Sequence, residues 1–341
     1  MKVPVSDPVG AIGDPAMPML RSALQPAYIA QRLHEILGSA PDNGRLELQA
    51  IRVRRHKPGR RCLLEYQLTH RNADGMETCL NLLGKIRAKG LDRRSYDIQN
   101  ALWRNAFGPQ ADDRIGVPPP LGVLPELAMW LQCRVDGVPA MQRLTDPNGA
   151  ELAGRIAGAI HKLQCAGPPA PRRHGIADEL RILHQQLTPV AEAHPSWAKR
   201  IQHVLAASGR LGASLPDPMF RPSHRDCYAD NVMVNGTWLY LVDLDLYCMA
   251  DPALDIGNFI GHVTEFALRS CGQSDALVHL EQALESGYVD RTGEAMRAAV
   301  RVYATLTLVR HIAISHRIPD RRVWTPRLLH LCERRLGIAT A

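Results

Sequence analysis

Long apolar runs are missing from this chain. No stretch of 18 consecutive apolar residues occurs in its 341 positions, which argues against a membrane span. The opening MKVPVSDPVGAIGDPAMPML is broken by proline, glycine and charge, unlike the continuous apolar segment of a secretory signal, so a cytoplasmic protein is expected. Paired cysteines are missing too. Eight cysteines (62, 79, 133, 165, 227, 248, 271 and 332) are scattered without a single C-x-x-C, excluding a zinc ribbon and giving no disulfide framework. Lysine is scarce, at six of 41 basic residues, and aromatics make up 5%. The net charge of +7 raises the question of a nucleic-acid-binding module. With no Lys/Arg block and few rings on which bases stack, a modestly basic surface and no nucleic-acid partner are the expectation.

What is present is ordinary for a globular enzyme: 45% hydrophobic and 22% charged residues, in a chain long enough for two lobes. No internal repeat is visible. Residues 1 to about 20 carry frequent Pro and Gly and read as a loose arm. AYIAQRLHEIL has helical periodicity, with Gly38 as its stop, so 1–44 reads as arm plus helix. LELQAIRVRRH (46–56) and RCLLEYQLTH (61–70) read as strands joined by a type II turn at Pro58-Gly59. TCLNLLGKIRA (78–88) continues the sheet, a helix follows with Asp92 as N-cap, and two short apolar runs surround Leu121–Val123 and Leu127–Val135. These make a β-rich lobe over 45–135. From 136 to 341 the pattern is helical, starting from an N-cap at Asp146-Pro147, with further helices expected over 176–190, 196–212, 253–269, 274–286, 292–316 and 326–336. The fold class is therefore α+β, a small β-rich lobe followed by a large helical one.

One stretch interrupts the helices: SHRDCYADNVMVNGTWLYLVDLD (223–245). Asp and Asn disfavour strand interiors, so their places at the ends of apolar runs need a reason. Asn235-Gly236 is a strong two-residue hairpin signal and predicts pairing of Val234 with Thr237 and of Asn231 with Tyr240. That register brings Asp243 level with the loop from Asp226 to Asn231. Hard oxygen ligands converging from separate segments suit a divalent cation completed by water and phosphate oxygens. Asp226 is placed to orient or accept the proton of an attacking hydroxyl. His224-Arg225-Asp226 with Asn231 matches the H-R-D-x-x-x-x-N pattern of phosphoryl transfer.

At these residues the chain resembles the aminoglycoside phosphotransferase and choline kinase family, which has a protein-kinase-like fold. The resemblance rests on SHRDCYADNVMV, LVDLD (241–245) and ADPALDIGNF (250–259). It departs from the common family pattern in placing Arg225 where Gly is frequent and Asp245 where Glu is frequent. The resemblance implies ATP and Mg2+ as cofactors, a small-molecule hydroxyl acceptor, Asp226 as catalytic carboxylate, Asn231 and Asp243 as metal ligands, and Asp255 as a buttress of the loop that His224 and Arg225 help to fix.

In the first lobe Lys85 is the candidate cation for the nucleotide phosphates, the alternative being an ordinary surface lysine with its stem packed along the sheet. Its helix supplies no Glu, which leaves Asp97 as the only available acid partner. Arg60 or Arg61 on the HKPGRR hairpin tip are placed either at anionic oxygens or in solvent. By resemblance Gln132, Cys133 and Arg134 form the segment that reads the adenine edge. His161, in AIHKLQ, reads foremost as a structural histidine. The substrate is less legible. Residues 151–223 hold five acids against nine bases and 253–341 nine against eleven, which favours a neutral or anionic acceptor over a polycation. A protein kinase or pseudokinase of the same fold is the main alternative; no D-F-G or A-P-E and no activation-loop-like segment separates Asp243 from Asp255.

Overall fold

The computed structural model of the chain describes residues 3–37, 45–72 and 74–339; Gly38, the expected helix stop, lies outside them. The chain divides into two compact units, Met1–Asp136 and Gly137–Ala341.

In the first unit, elements follow in the order β1 (Val5–Ser6), α1 (Leu20–Ala23), α2 (Pro26–Leu37), β2 (Arg45–Lys57), β3 (Arg61–Arg71), β4 (Glu77–Arg87), α3 (Arg93–Asn105), β5 (Ile115–Gly116), β6 (Pro120–Leu124) and β7 (Met129–Cys133). One sheet runs β1-β2-β3-β4-β7-β6. The β2–β3 turn forms as its residues dictate: Arg60 N–H donates to the Lys57 carbonyl at 3.0 Å, and Gly59 takes φ +64° in the position that needs it. Asp92 caps α3 by accepting the Ser95 N–H at 3.2 Å. In β4 the alternation buries Leu82, Gly84 and Ile86 on one face and leaves Asn81, Leu83 and Lys85 half-buried on the other.

The N-terminal arm departs from expectation. It is not loose: Ala11, Met17 and Leu20 are fully buried in the same core as Ile51, Leu64 and Tyr66, and Val5–Ser6 pairs in parallel with Ile51–Arg52. Its alternating Pro and Gly make turns that press small apolar stretches on the sheet, so composition alone misled.

The second unit holds β8 (Val138–Pro139), α4 (Met141–Leu144), α5 (Gly149–Ala166), β9 (Arg173–His174), α6 (Ile176–Ala193), α7 (Pro195–Ala213), β10 (Arg221–Ser223), β11 (Val232–Asn235), β12 (Trp238–Leu241), β13 (Cys248–Ala250), α8 (Ala253–Cys271), α9 (Val278–Thr292), α10 (Met296–Arg317) and α11 (Thr325–Arg335). Several boundaries differ from the sequence reading, among them the start of α10, at Met296 rather than 292. Helix α5 begins at Gly149, after Pro147, because Asp146 and Pro147 form a turn in which the Gly149 N–H meets the Asp146 carbonyl at 2.9 Å. A Cβ on Gly149 would lie 1.9 Å from the Leu144 carbonyl oxygen, so only glycine admits this approach. Helix α9 spans Val278–Thr292 instead of 274–286 and stops at Gly293, with φ +97°.

Helices α6, α7, α10 and α11 share a core around Leu187, Leu205, Ile312 and Leu329. Helix α8 lies against α10 with Gly257 and Gly261 at the contact, where added Cβ atoms would come 2.5 Å from Tyr303 Cβ and 2.7 Å from Thr307 Cβ. That close packing fixes the start of α8 and with it Asp255. The hairpin is not the only β structure here, since β10 pairs with β13, β13 with β9 and β11 with β8.

Candidate active site

The hairpin forms in a register two residues from the expected one. Val232 pairs with Leu241, Met233 with Tyr240 and Asn235 with Trp238, so Gly236 and Thr237 make the turn. Gly236, at φ +56°, takes the first central position, and Asn235 stays in the strand. Asn231 therefore stands opposite Val242 rather than Tyr240, its carbonyl accepting the Val242 N–H at 3.0 Å. Asp243 follows directly, itself at φ +60°. A non-glycine residue in that region is held there by its surroundings and marks a position where strain is retained.

The loop before the hairpin is fixed from three sides. Asp255, wholly buried, accepts the backbone N–H groups of His224 and Arg225 at 2.7 Å each. His224 donates Nε2–H to the Val242 carbonyl at 2.9 Å, tying the loop to the segment that carries Asp243. Asn258, one turn beyond Asp255, donates to the Cys227 carbonyl at 2.7 Å. Arg225 adopts φ +70°, which explains in physical terms why glycine is frequent at this place in the family pattern. Burial raises the Asp255 pKa, while its two N–H donors and the neighbouring His224 act the other way.

Asn231, 7% exposed, donates Nδ2–H to the Asp226 carbonyl at 2.8 Å and lies 3.5 Å from Asp226 Oδ2. A carbonyl can only accept, so this bond settles the amide orientation and leaves Oδ1 as the atom it does not engage. Asn231 and Asp226 are thus in contact, with Asp243 one residue from Asn231's strand partner. No group of three or more His, Cys, Asp or Glu side chains suited to a metal occurs among the described residues. Asn231 and Asp243 carry an amide oxygen and a carboxylate, the donor types that Mg2+ takes when it keeps waters and binds through few protein ligands plus phosphate. Cys227 is buried and its thiol is pushed well up by desolvation, as expected of an inert core thiol.

In the first unit Lys85 Nζ lies 5.0 Å from the centre of the Trp130 ring, on the strand paired with β4, and Tyr96 of α3 meets that ring edge-on at 6.3 Å. Asp97, offered as the partner of Lys85, forms its ion pair with Arg93 at 3.0 Å on an exposed helix face. Arg60 is exposed at the hairpin tip. The Gly59 N–H at that tip is taken at 2.7 Å by Asp14, which also meets His56 Nε2 at 2.8 Å. In the expected adenine-reading segment, Cys133 N–H donates to the Pro119 carbonyl and Arg134 N–H to the Asn81 carbonyl, so both donors are engaged within the sheet. The Gln132 side chain is buried against Gln99, and the Arg134 guanidinium binds the buried Glu65. Burial pushes the Cys133 thiol up to about 11. His161 lies 3.5 Å from Cys165 Sγ, with its pKa lowered by burial and by Arg291.

Sequence reading missed Asn258, although it stands three residues after Asp255 and hence on the same helix face. It also missed Asp14, for which no local signal exists, and a ladder of rings in which Tyr228 stacks on His262 at 4.5 Å and His262 meets His311 edge-on at 4.4 Å.

Comparison with known proteins agrees with this architecture. No curated protein is similar enough in sequence to serve as a relative. Among solved structures, a choline/ethanolamine kinase family protein from Mesorhizobium loti matches over 90% of this chain and 95% of its own, with 16% identity and a TM-score of 0.53. The spectinomycin phosphotransferase APH(9)-Ia, solved with ADP and spectinomycin, matches over 90% and 97% with 12% identity and a TM-score of 0.55. Choline kinase from Cryptosporidium parvum Iowa II matches over 92% and 96% with 9% identity and a TM-score of 0.57. At these identities the likeness is one of fold, and the fold is protein-kinase-like. Residues 109–322 match the phosphotransferase enzyme family, a span that includes the Asp226 loop, the hairpin and α8. The chain belongs to the phosphotransferase enzyme family.

Proposed function

We propose that the protein transfers the γ-phosphate of ATP, as its magnesium complex, to a hydroxyl group of a small molecule. The observation that carries this reading is the contact of Asn231 with Asp226 on a loop whose backbone is pinned by Asp255. Asp226 takes the role of orienting the acceptor hydroxyl and receiving its proton as the oxygen attacks phosphorus. Asn231 Oδ1 and the Asp243 carboxylate are the residues that would hold Mg2+, which would supply positive charge to offset that of the phosphates. Lys85, half-buried on β4, supplies a positive charge for the nucleotide phosphates. Rate enhancement then comes mainly from positioning and electrostatic stabilisation rather than from covalent chemistry on the protein.

The adenine-reading role proposed for Gln132, Cys133 and Arg134 is narrowed by the two N–H groups already engaged within the sheet. No described helix is long and apolar enough to cross a membrane. Eleven residues separate Asp243 from Asp255, and β13 occupies three of them, which disfavours the protein-kinase alternative with its long activation segment.

The test is a pair of variants assayed for ADP release and for Mg-ATP binding. Asp226→Ala is expected to lose turnover by about 10³-fold or more while keeping Mg-ATP affinity within a few-fold. Asp243→Ala is expected to lose the magnesium dependence of nucleotide binding. Full turnover in the first variant, or unchanged magnesium-dependent affinity in the second, removes the assignment.

A further inference from the structure

A cavity of about 750 Å³ in the helical unit is lined by Asp226 and Asp230 from the catalytic loop and by residues of α8 and α10. His311 is in its lining although only 1% exposed, and neither its Nδ1 nor its Nε2 has a hydrogen-bond partner. Burial, helped by Arg310, Arg321 and Arg269, pushes its pKa down to about 3, so the ring is neutral and offers one N–H and one lone pair, both unmet. A buried polar group without a partner destabilises the fold and calls for an explanation, and at the wall of a cavity a ligand can supply the missing partner.

Four guanidiniums, those of Arg225, Arg269, Arg310 and Arg321, line the same cavity. Their acids do not balance them. Buried Glu265 serves two: Arg269 Nε at 3.2 Å and an Arg321 terminal nitrogen at 4.0 Å. Arg310 reaches Glu179 at 3.4 Å and also binds Asn258, but Glu179 is shared with His174 at 2.5 Å. Away from Asp226 and Asp230, the cavity therefore carries an excess of fork-shaped donors that match carboxylate and phosphate oxygens. A polycationic acceptor would have to displace or repel these groups.

We propose that this cavity binds a hydroxylated organic anion, its oxyanion on Arg269 and Arg321, a hydroxyl or carbonyl on His311, and the reacting hydroxyl at Asp226. The proposal rests on the phosphotransfer reading for the last contact only. The shared chemistry is an oxyanion on a polyol skeleton; a carboxylate and a phosphate monoester are its two sources. The ring ladder of Tyr228, His262 and His311 forms one wall and links the anion end to the catalytic loop.

The experiment is calorimetric titration of the nucleotide-free protein with gluconate, glycerate, glucose 6-phosphate and ribose 5-phosphate, with glucose as neutral control and kanamycin as polycation. At least one anion is expected to bind tenfold or more tightly than glucose, with no binding of kanamycin, and the carboxylate and phosphate arms identify the source. Arg321→Gln is expected to weaken that binding at least tenfold. His311→Leu is expected to weaken it similarly while leaving the melting temperature equal or higher, the opposite of what a purely structural histidine would give. Absence of binding by all four anions, equal binding of glucose or kanamycin, or unchanged affinity in both variants overturns the proposal. Asp226→Ala should retain anion binding; because binding is scored without nucleotide, loss of the phosphotransfer reading would leave this result standing, and ADP release with neutral or cationic acceptors alone would sink the anion site but not the transferase.

Discussion

Asp255 Oδ1 accepts the Arg225 N–H at 2.7 Å, and Arg225 itself holds a φ of +70°. The buried carboxylate thereby keeps an L-residue in a backbone region it would otherwise avoid, directly before Asp226. Arg225→Gly and Arg225→Ala both delete the side chain but differ in tolerance of that φ. The glycine variant is expected to be the more stable of the two by about 0.5–1 kcal/mol after its extra unfolded-state freedom is counted. Urea unfolding midpoints decide this, and an alanine variant as stable as the glycine one would contradict the strain.

Asn231 and Asn258 clamp two carbonyls of the same loop, those of Asp226 and Cys227, but only Asn231 has an oxygen free for a ligand set. Asn231→Ala should raise the magnesium concentration needed for half-maximal turnover by about 10-fold or more. Asn258→Ala should lower stability by about 1–3 kcal/mol, since a buried carbonyl and the Arg310 side chain lose a partner, without changing that magnesium requirement. Turnover measured against magnesium concentration separates the two. A parallel shift in both variants would deny Asn231 its distinct role.

Asp14 has its pKa lowered, first by the Gly59 N–H and then by His56. A carboxylate with a lower pKa folded than unfolded contributes stability that is present above its unfolded value, near 4, and lost as pH falls through the folded value. The stability gap between wild type and Asp14→Ala is therefore expected to be constant from pH 7 to 5 and to close below about pH 4. Thermal melts at pH 7, 5 and 3.5 test this, together with faster hydrogen exchange at Gly59 in the variant. A gap that persists unchanged to pH 3.5 would mean the carboxylate charge is not what holds the tip.

The elements that short patterns specify are those whose partners are close in sequence. The Pro58-Gly59 turn, the Asp92 cap and the buried face of β4 formed as read, because each depends on φ preferences or on side-chain alternation over a few residues. The residue types and spacing of Asp226, Asn231, Asp243 and Asp255 are legible for a similar reason, since their loop, hairpin and helix start are contiguous in the chain. The hairpin register shows the limit of such reading. Asn235-Gly236 and Gly236-Thr237 both offer a glycine for the turn, and only the folded pairing of β11 with β12 distinguishes them.

By itself the sequence determined the α+β layout, the family pattern and the identities of the oxygen-bearing residues, since these follow from local periodicity and residue chemistry. Only tertiary structure decided that the arm is buried, that Asp14 holds the hairpin tip, that Asp97 belongs to Arg93 and that His311 faces a cavity with both nitrogens unmet. Those relations join residues far apart in the chain or choose among several equivalent partners, and the choice is made by packing and desolvation, which no local pattern encodes.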